Sequence, residues 1–276
     1  ILGQFSMQFN TFVNHRLSLG RKKKTVNLAL SVVRRILNLA ARSWRHPESD
    51  LTWLETPPLI TLLPVDDSRR AYTLEWEEQE RLLKGMLSYL SQMALYKVNT
   101  GCREQEVCNL KWAWEWKTNL PELDGRIFII PSSFRKKVRD RIMDDKIVVL
   151  NDIAKSVVDA RRGIHKDYVF TYRGRKVQRM NNNGWRSAWR KAGLPINKDF
   201  LRGVHNLRHT FGTRLRLLGV SNETRRDLMG HTVGNMTSHY SVAGIMELLE
   251  AVQMLCKSRK SPALSIVKIR SGLQTA

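Results

Sequence analysis

The sequence predicts an α+β protein, mainly helical with a small antiparallel β-sheet. Three observations lead there. Apolar residues recur at helical spacing through most of the chain, two short β-branched runs near residues 127–130 and 147–150 stand apart from that pattern, and a proline-bearing stretch from Pro57 to Ser68 interrupts it. At 276 residues the chain has room for one large domain or two of ordinary size.

Residues from Gln4 to about Leu63 read as helical. The clearest segment is Thr25 to Trp44, with Leu28, Val32, Val33, Ile36, Leu39 and Ala40 taken as one apolar stripe and Arg34, Arg35, Arg42 and Arg45 off it. The basic run Arg21 to Lys24 precedes it, and both a solvated loop and a phosphate contact stand open for that run. His46-Pro47 ends the helix, because proline disfavours helical geometry in the residue before it. Irregular chain follows at Pro57-Pro58 and Pro64 to Ser68, which places a domain boundary near Asp66–Ala71.

From Thr73 the chain reads as helical again. Glu75, Glu77, Glu78 and Glu80 crowd the first turns, where the helix dipole favours negative charge, and Leu82, Leu83, Met86, Leu90 and Leu95 continue the apolar spacing. Asn99-Thr100-Gly101 breaks this helix, and Cys102 to Leu110 begins another. The strand-like runs are Arg126–Pro131 and Lys146–Leu150, with a further short strand expected at Tyr168–Thr171. Arg173, Arg175, Lys176 and Arg179 surround Gly174 in a basic turn. Asn181 to Ala192 carries Trp185 and Trp189 four apart, most simply two core contacts of a helix. Ile245, Leu248, Leu249 and Val252 form a last helical stripe, which fades into Lys257 to Lys260.

Val204 to Ala243 is the stretch most charged with chemistry. His205 and Arg208, three apart, project from one face at the start of a helix, whereas Leu207, Phe211, Leu215 and Leu218 make the stripe that buries it. A Gly230-His231 step and a lone Tyr240 follow.

Composition narrows the partner. Against 25 Asp and Glu stand 47 Lys and Arg, a net charge of +22, with a pI near 10.4. An excess this large implies a polyanion, with nucleic acid ahead of a membrane surface because no Lys/Arg-faced amphipathic helix stands apart from the core. Cys102, Cys108 and Cys256 lack metal-site spacing, and an odd count argues against a disulfide framework. No apolar run has transmembrane length and no signal-peptide pattern is present, so a cytoplasmic, nucleoid-associated protein is expected.

Read together, H-x-L-R-H-T-F from His205, L-x-G-H ending at His231 and H-Y-S around Tyr240 resemble the C-terminal signature of the tyrosine recombinase (phage integrase) family. His231 and Tyr240 have the nine-residue separation found there. T-G-x-R-x-x-E-V-x-x-L from Thr100 resembles that family's segment for its first catalytic arginine, Arg103, about a hundred residues before His205. Family members also carry a catalytic lysine in a β-hairpin turn, five residues after a proline. Here that count lands on Lys136, with Lys137 beside it, and the spacing to the second strand is longer than the common pattern.

The resemblance implies a helical DNA core-binding domain over 1–66, a catalytic domain over 71–260 and a tail over 261–276. The chain opens with Ile1 rather than Met, so a processed or truncated chain is expected; by the resemblance, the first domain is short of its first helix. The resemblance also implies double-stranded DNA as partner, a homo-tetramer on paired sites, and catalysis by Arg103, Lys136, His205, Arg208, His231 and Tyr240. Tyr240 would form a 3′-phosphotyrosyl link, Lys136 would protonate the leaving 5′-oxygen, His205 would assist the phenol, and His231 would bond a phosphate oxygen. Paired guanidinium donors suit a phosphate whose charge grows in the transition state.

Neither metal nor cofactor is expected: no Walker pattern is present, and no carboxylate or cysteine joins the histidines at ligand spacing. Glu106 would orient the arginines or, more simply, form a surface pair with Arg103, and His209 and His239 are left as structural. A type IB topoisomerase and a non-catalytic DNA-binding protein are the competing readings. The C-terminal helix stripe fits docking on its own domain or on a neighbouring protomer.

Overall fold

The computed structural model describes residues 2–134, 145–197, 199–230 and 242–258. Its contacts divide the chain into two units, Ile1–Arg70 and Ala71–Ala276.

In the first unit, α1 (Leu2–Ser18) and α2 (Lys23–Arg42) pack around Val26, Leu30 and Ile60, with Phe9, Val13, Leu17, Val33 and Leu37 against them. Val26, Leu30, Val33, Leu37 and Ala40 alternate by four and three, the period of a helix face turned to a partner. The stripe expected from the sequence is therefore wrong in part. Leu28, Val32 and Ile36 are exposed, because α2 carries apolar residues on two faces and spacing alone does not tell which is inward. Nor does helix continue to Leu63. After Ser43 the chain is irregular and returns along α2, where the Asn27 side chain donates to the Leu63 carbonyl (2.8 Å) and accepts from the Leu63 amide (2.9 Å). Lys23 Nζ meets Asp66 at 2.7 Å, and Lys22 Nζ donates to the Asp67 carbonyl. Half of the basic run is thus occupied within its own unit.

The second unit opens with α3 (Trp76–Lys84) and α4 (Ser88–Thr100), separate helices where the sequence read one. They part at Gly85, where a Cβ would stand 3.4 Å from Ala188. A capping box, with the Glu75 amide donating to Glu78 at 2.9 Å, starts α3. Next come α5 (Glu104–Cys108), β1 (Ile127–Ile130) and β2 (Lys146–Val149), the strands pairing antiparallel with Ile127 opposite Val149 and Ile130 opposite Lys146. Helix α6 (Asp152–Asp159) leads to a two-residue ribbon, β3 (Thr171–Tyr172) and β4 (Arg175–Lys176), turning at Arg173-Gly174. The expected strand thus begins at Thr171, and Tyr168 makes only an isolated bridge with Lys111.

The last helices are α7 (Asn183–Lys191), α8 (His205–Leu217), α9 (Asn222–Met229) and α10 (Val242–Ser258). Trp185 and Trp189 are buried core residues whose indole nitrogens donate to the Arg202 and Pro195 carbonyls. Ile245, Leu248, Val252 and Leu255 join Phe211, Leu215, Leu228 and Val149 in one cluster, so α10 docks on its own domain. Asn151, fully buried, fastens that arrangement. Its Oδ1 caps α6 at the Ala154 amide (2.9 Å), and its Nδ2 donates to Asn99 Oδ1 on α4 (3.0 Å) and to the Val252 carbonyl on α10 (3.3 Å). Among the described residues no helix is long and apolar enough to cross a membrane.

Candidate active site

Helix α8 divides into three stripes, each with its own task. Leu207, Phe211 and Leu215 are buried, as their spacing predicts. Asn206, Thr210 and Arg214, also four apart, are buried polar residues that capture the incoming chain. Asn206 Oδ1 accepts from the Tyr72 amide (3.1 Å), Thr210 Oγ1 from the Leu74 amide (3.0 Å), and Arg214 donates to Gln79 (2.7 Å) and the Leu74 carbonyl (3.2 Å). The third stripe holds His205 and Arg208.

Arg208 is buried rather than surface-facing, and it ties together two segments distant in sequence. Nη1 donates to the Gly101 carbonyl and Nη2 to the Met229 carbonyl, both at 2.6 Å. A charged donor makes such bonds worth about 1.5–3 kcal/mol each. One guanidinium thereby holds the turn before Arg103 and the last residue of α9, beside Gly230. That turn favours glycine at 101: its φ is +62°, and an added Cβ would lie 2.4 Å from the Phe211 ring.

Arg103 follows at the N-cap of α5. Its amide donates to Glu106 Oε2 (2.8 Å) and its Nη1 to Glu106 Oε1 (2.9 Å). The side chain keeps 41% of its surface open, so it reaches outward from a fixed base. Glu106 itself corrects the sequence reading of a surface pair. It is buried, because Lys146 Nζ of β2, itself buried, meets Oε2 at 2.8 Å from the other side. Burial alone would raise the Glu106 carboxyl, but the Lys146 charge and hydrogen bond, followed by the two from Arg103, hold it at about 2.

Lys97, on α4, completes the cluster: fully buried, its Nζ donates to the Cys102 carbonyl. Burial takes its pKa down to about 7; Cys102 and Glu106 oppose that fall, and Arg208 and Lys146 add to it. Sequence reasoning missed both Lys97 and Lys146. Lys97 lies in a helix segment buried on every side, where no polar stripe marks a charge. His205 is exposed as a residue, yet its imidazole is desolvated enough that burial, then the charges of Lys97, His209, Arg208 and Arg103, push it down to about 4. The His209 ring stands edge-on to it, centroids 4.8 Å apart.

Three expected site residues, Lys136, His231 and Tyr240, lie outside the described residues, as do Lys137 and His239. The structure brings together Arg103, His205 and Arg208, with Glu106, Lys146 and Lys97 behind them. Among the described residues, no group of three His, Cys, Asp or Glu side chains stands ready to hold a metal ion.

A mostly helical domain with a small antiparallel sheet and this clustering of arginines defines a class, and comparison with known proteins identifies it. Residues 73–243 match the phage integrase family, over more than half of the chain, and the chain belongs to that family of DNA breaking–rejoining enzymes. None of the curated proteins compared with it matches. Among solved structures, the Tn1549 transposon integrase in complex with circular intermediate DNA is similar at TM-score 0.60 and 15% identity, covering 88% of this chain and 84% of that one. A lambda integrase dimer bound to a COC′ core site is similar at TM-score 0.58 and 15% identity, covering 85% and 81%. XerH site-specific recombinase bound to difH substrate gives TM-score 0.59 and 17% identity, covering 82% and 64%. At these identities the likeness is one of fold.

Proposed function

We propose that this protein is a site-specific DNA recombinase that cuts and rejoins strands through a 3′-phosphotyrosyl intermediate at Tyr240, without metal or ATP. The observation that carries the reading is the meeting of Arg103, His205 and Arg208 in a cluster where Arg103 and Lys146 pair with the carboxylate of Glu106, and Lys97 lies beside both Glu106 and Arg208. Such an excess of positive charge around a partly open arginine suits an anionic diester.

In the reaction, the Tyr240 oxygen bonds to phosphorus as the bond to the 5′-oxygen breaks. The phenol has an intrinsic pKa of about 10, and its proton leaves with help from His205, whose depressed pKa keeps the imidazole neutral and able to accept. Lys136 protonates the departing 5′-oxygen, and His231 donates to a non-bridging oxygen. Arg103 and Arg208 neutralise the charge gathering there. The phosphotyrosine preserves the bond energy, and a 5′-hydroxyl from the partner strand reverses the step. Residues 1–66 serve as the DNA core-binding domain, 71–260 as the catalytic domain and 261–276 as a tail, with four protomers assembling on paired duplex sites.

A nicked suicide substrate carrying the protein's own site tests this. Wild-type chain is expected to form a covalent protein–DNA adduct, and Tyr240→Phe to bind without forming one. An adduct that persists in Tyr240→Phe would remove the tyrosine from the reaction. Relaxation of supercoiled DNA lacking any site would point instead to a topoisomerase.

A further inference from the structure

The turn that presents Arg103 is gripped more firmly than a helix start requires. The peptide joining Cys102 to Arg103 is held at both ends by buried groups of opposite charge. Lys97 Nζ donates to its carbonyl, and its amide donates to Glu106 Oε2 at 2.8 Å. One residue earlier, the Gly101 carbonyl accepts from Arg208 at 2.6 Å. Three consecutive positions are thus fixed by charged side chains from α4, α5 and α8. Arg208 and Glu106 each have further partners, at Met229 and at Lys146. Lys97 is different: the hydrogen bond described for its ammonium goes to this turn, and its side chain is 0% exposed, a costly place for a lysine. An apolar side chain would fill that space at less cost but would leave a buried carbonyl unsatisfied.

We infer that Lys97 is a positioning residue for strand cleavage: protonated, it clamps the Cys102 carbonyl and so sets the direction in which Arg103 leaves the turn. The inference rests on the role given to Arg103 above. Because the clamp is a charged amine, cleavage depends on its proton. The titratable and charged groups facing it are the Cys102 thiol, Glu106 and the Cys108 thiol from α5, Lys146 from β2, and His205, Arg208 and His209 from α8. In the free protein burial brings Lys97 to about 7, so the clamp weakens as pH rises past that value. A phosphate anion beside it favours the charged amine and moves the midpoint upward.

The test uses the full chain and the nicked suicide substrate, with single-turnover adduct formation followed between about pH 6 and 9 for wild type, Lys97→Met and Lys97→Gln. DNA affinity and amide hydrogen exchange across residues 101–106 are measured on the same proteins. Lys97→Met is expected to form adduct about 10- to 100-fold more slowly at the acid end, the loss that follows a small misplacement of a catalytic group. Its affinity for DNA should be unchanged, its Cys102 and Arg103 amides should exchange faster, and the wild-type decline toward high pH should vanish. Lys97→Gln, which keeps a neutral donor, should fall between the two and also lose the decline; it carries the same comparison if the methionine variant fails to fold.

A Met variant that cleaves at the wild-type rate overturns the clamp. So does a slow one that keeps the wild-type alkaline decline, since the lysine would then only support the core. Wild-type chain that forms no adduct overturns the proposed function and this inference with it, whereas an adduct insensitive to Lys97 leaves the proposed function standing.

Discussion

Changing Glu106 to glutamine removes a charge from a carboxylate that is 4% exposed and sits 2.8 Å from the ammonium of Lys146, itself 1% exposed. Its effect can be sized in two ways. The carboxyl is held at about 2 in place of its ordinary 4.5, and a depression of that size corresponds to about 3 kcal/mol of stability. Separately, breaking a buried pair by removing one partner costs about 3–5 kcal/mol, because the other charge is stranded. Both figures describe one contact, so they are compared rather than added. In urea the midpoint should drop by about 1–2 M at neutral pH. Because the folded-state pKa is depressed, this stabilisation is fully present above 4.5 and is lost as pH falls through that value toward about 2. The difference between wild type and Glu106→Gln should therefore shrink in the acid range. The double variant Glu106→Gln/Lys146→Met should recover most of the stability, since no ammonium is left unpaired, yet remain slow in adduct formation because Arg103 has lost its carboxylate anchor. A Glu106→Gln protein with the wild-type midpoint at pH 7 would falsify the reasoning.

Three further outcomes are expected. Gly101→Ala combines a positive φ with a Cβ driven into the Phe211 ring; a loss of about 2–4 kcal/mol should appear in chemical denaturation, and a near-neutral result would mean the turn has another available shape. In the free protein the His205 imidazole should titrate near 4 by NMR, and a midpoint at its ordinary 6.5 would show that the ring is solvated and that the neighbouring charges do not reach it. With a net charge of +22, log affinity for duplex DNA should fall linearly with log salt, at a slope set by the phosphates contacted; binding indifferent to salt would rule out a largely electrostatic grip.

The chain's legibility varied with local pattern. In α8 the apolar residues Leu207, Phe211 and Leu215 leave a clean stripe, so the helix and the offset of His205 and Arg208 could be read directly. Thr100-Gly101 announced its turn because glycine ends helices readily in the left-handed backbone found there. Spacing failed where apolar residues cover more than one face. Helix α2 has enough of them for two stripes, and the expected one mixed inward residues such as Val33 and Ala40 with the outward Leu28, Val32 and Ile36. The break between α3 and α4 falls at Gly85, the C-cap of α3, inside an apolar spacing that runs on through Leu82, Met86 and Leu90 and so hides it. Glu106 was read as a surface partner of Arg103 because its other partner, Lys146, is 40 residues away and meets it only in the folded chain. Buried lysines are the hardest case of all, since composition places them at the surface by default.

The position of Asn151 has a mechanical consequence for the end of the domain. Lifting α10 away would strip a hydrogen bond from a buried amide that also serves α4 and α6, besides exposing Leu248, Val252 and Leu255. Releasing the turn at Val252 while Asn151 stays buried leaves that amide short of a partner, which costs more than the bond itself. Helix α10 is therefore expected to come away as one piece or not at all, so that amide exchange across Leu248–Leu255 should share a single protection.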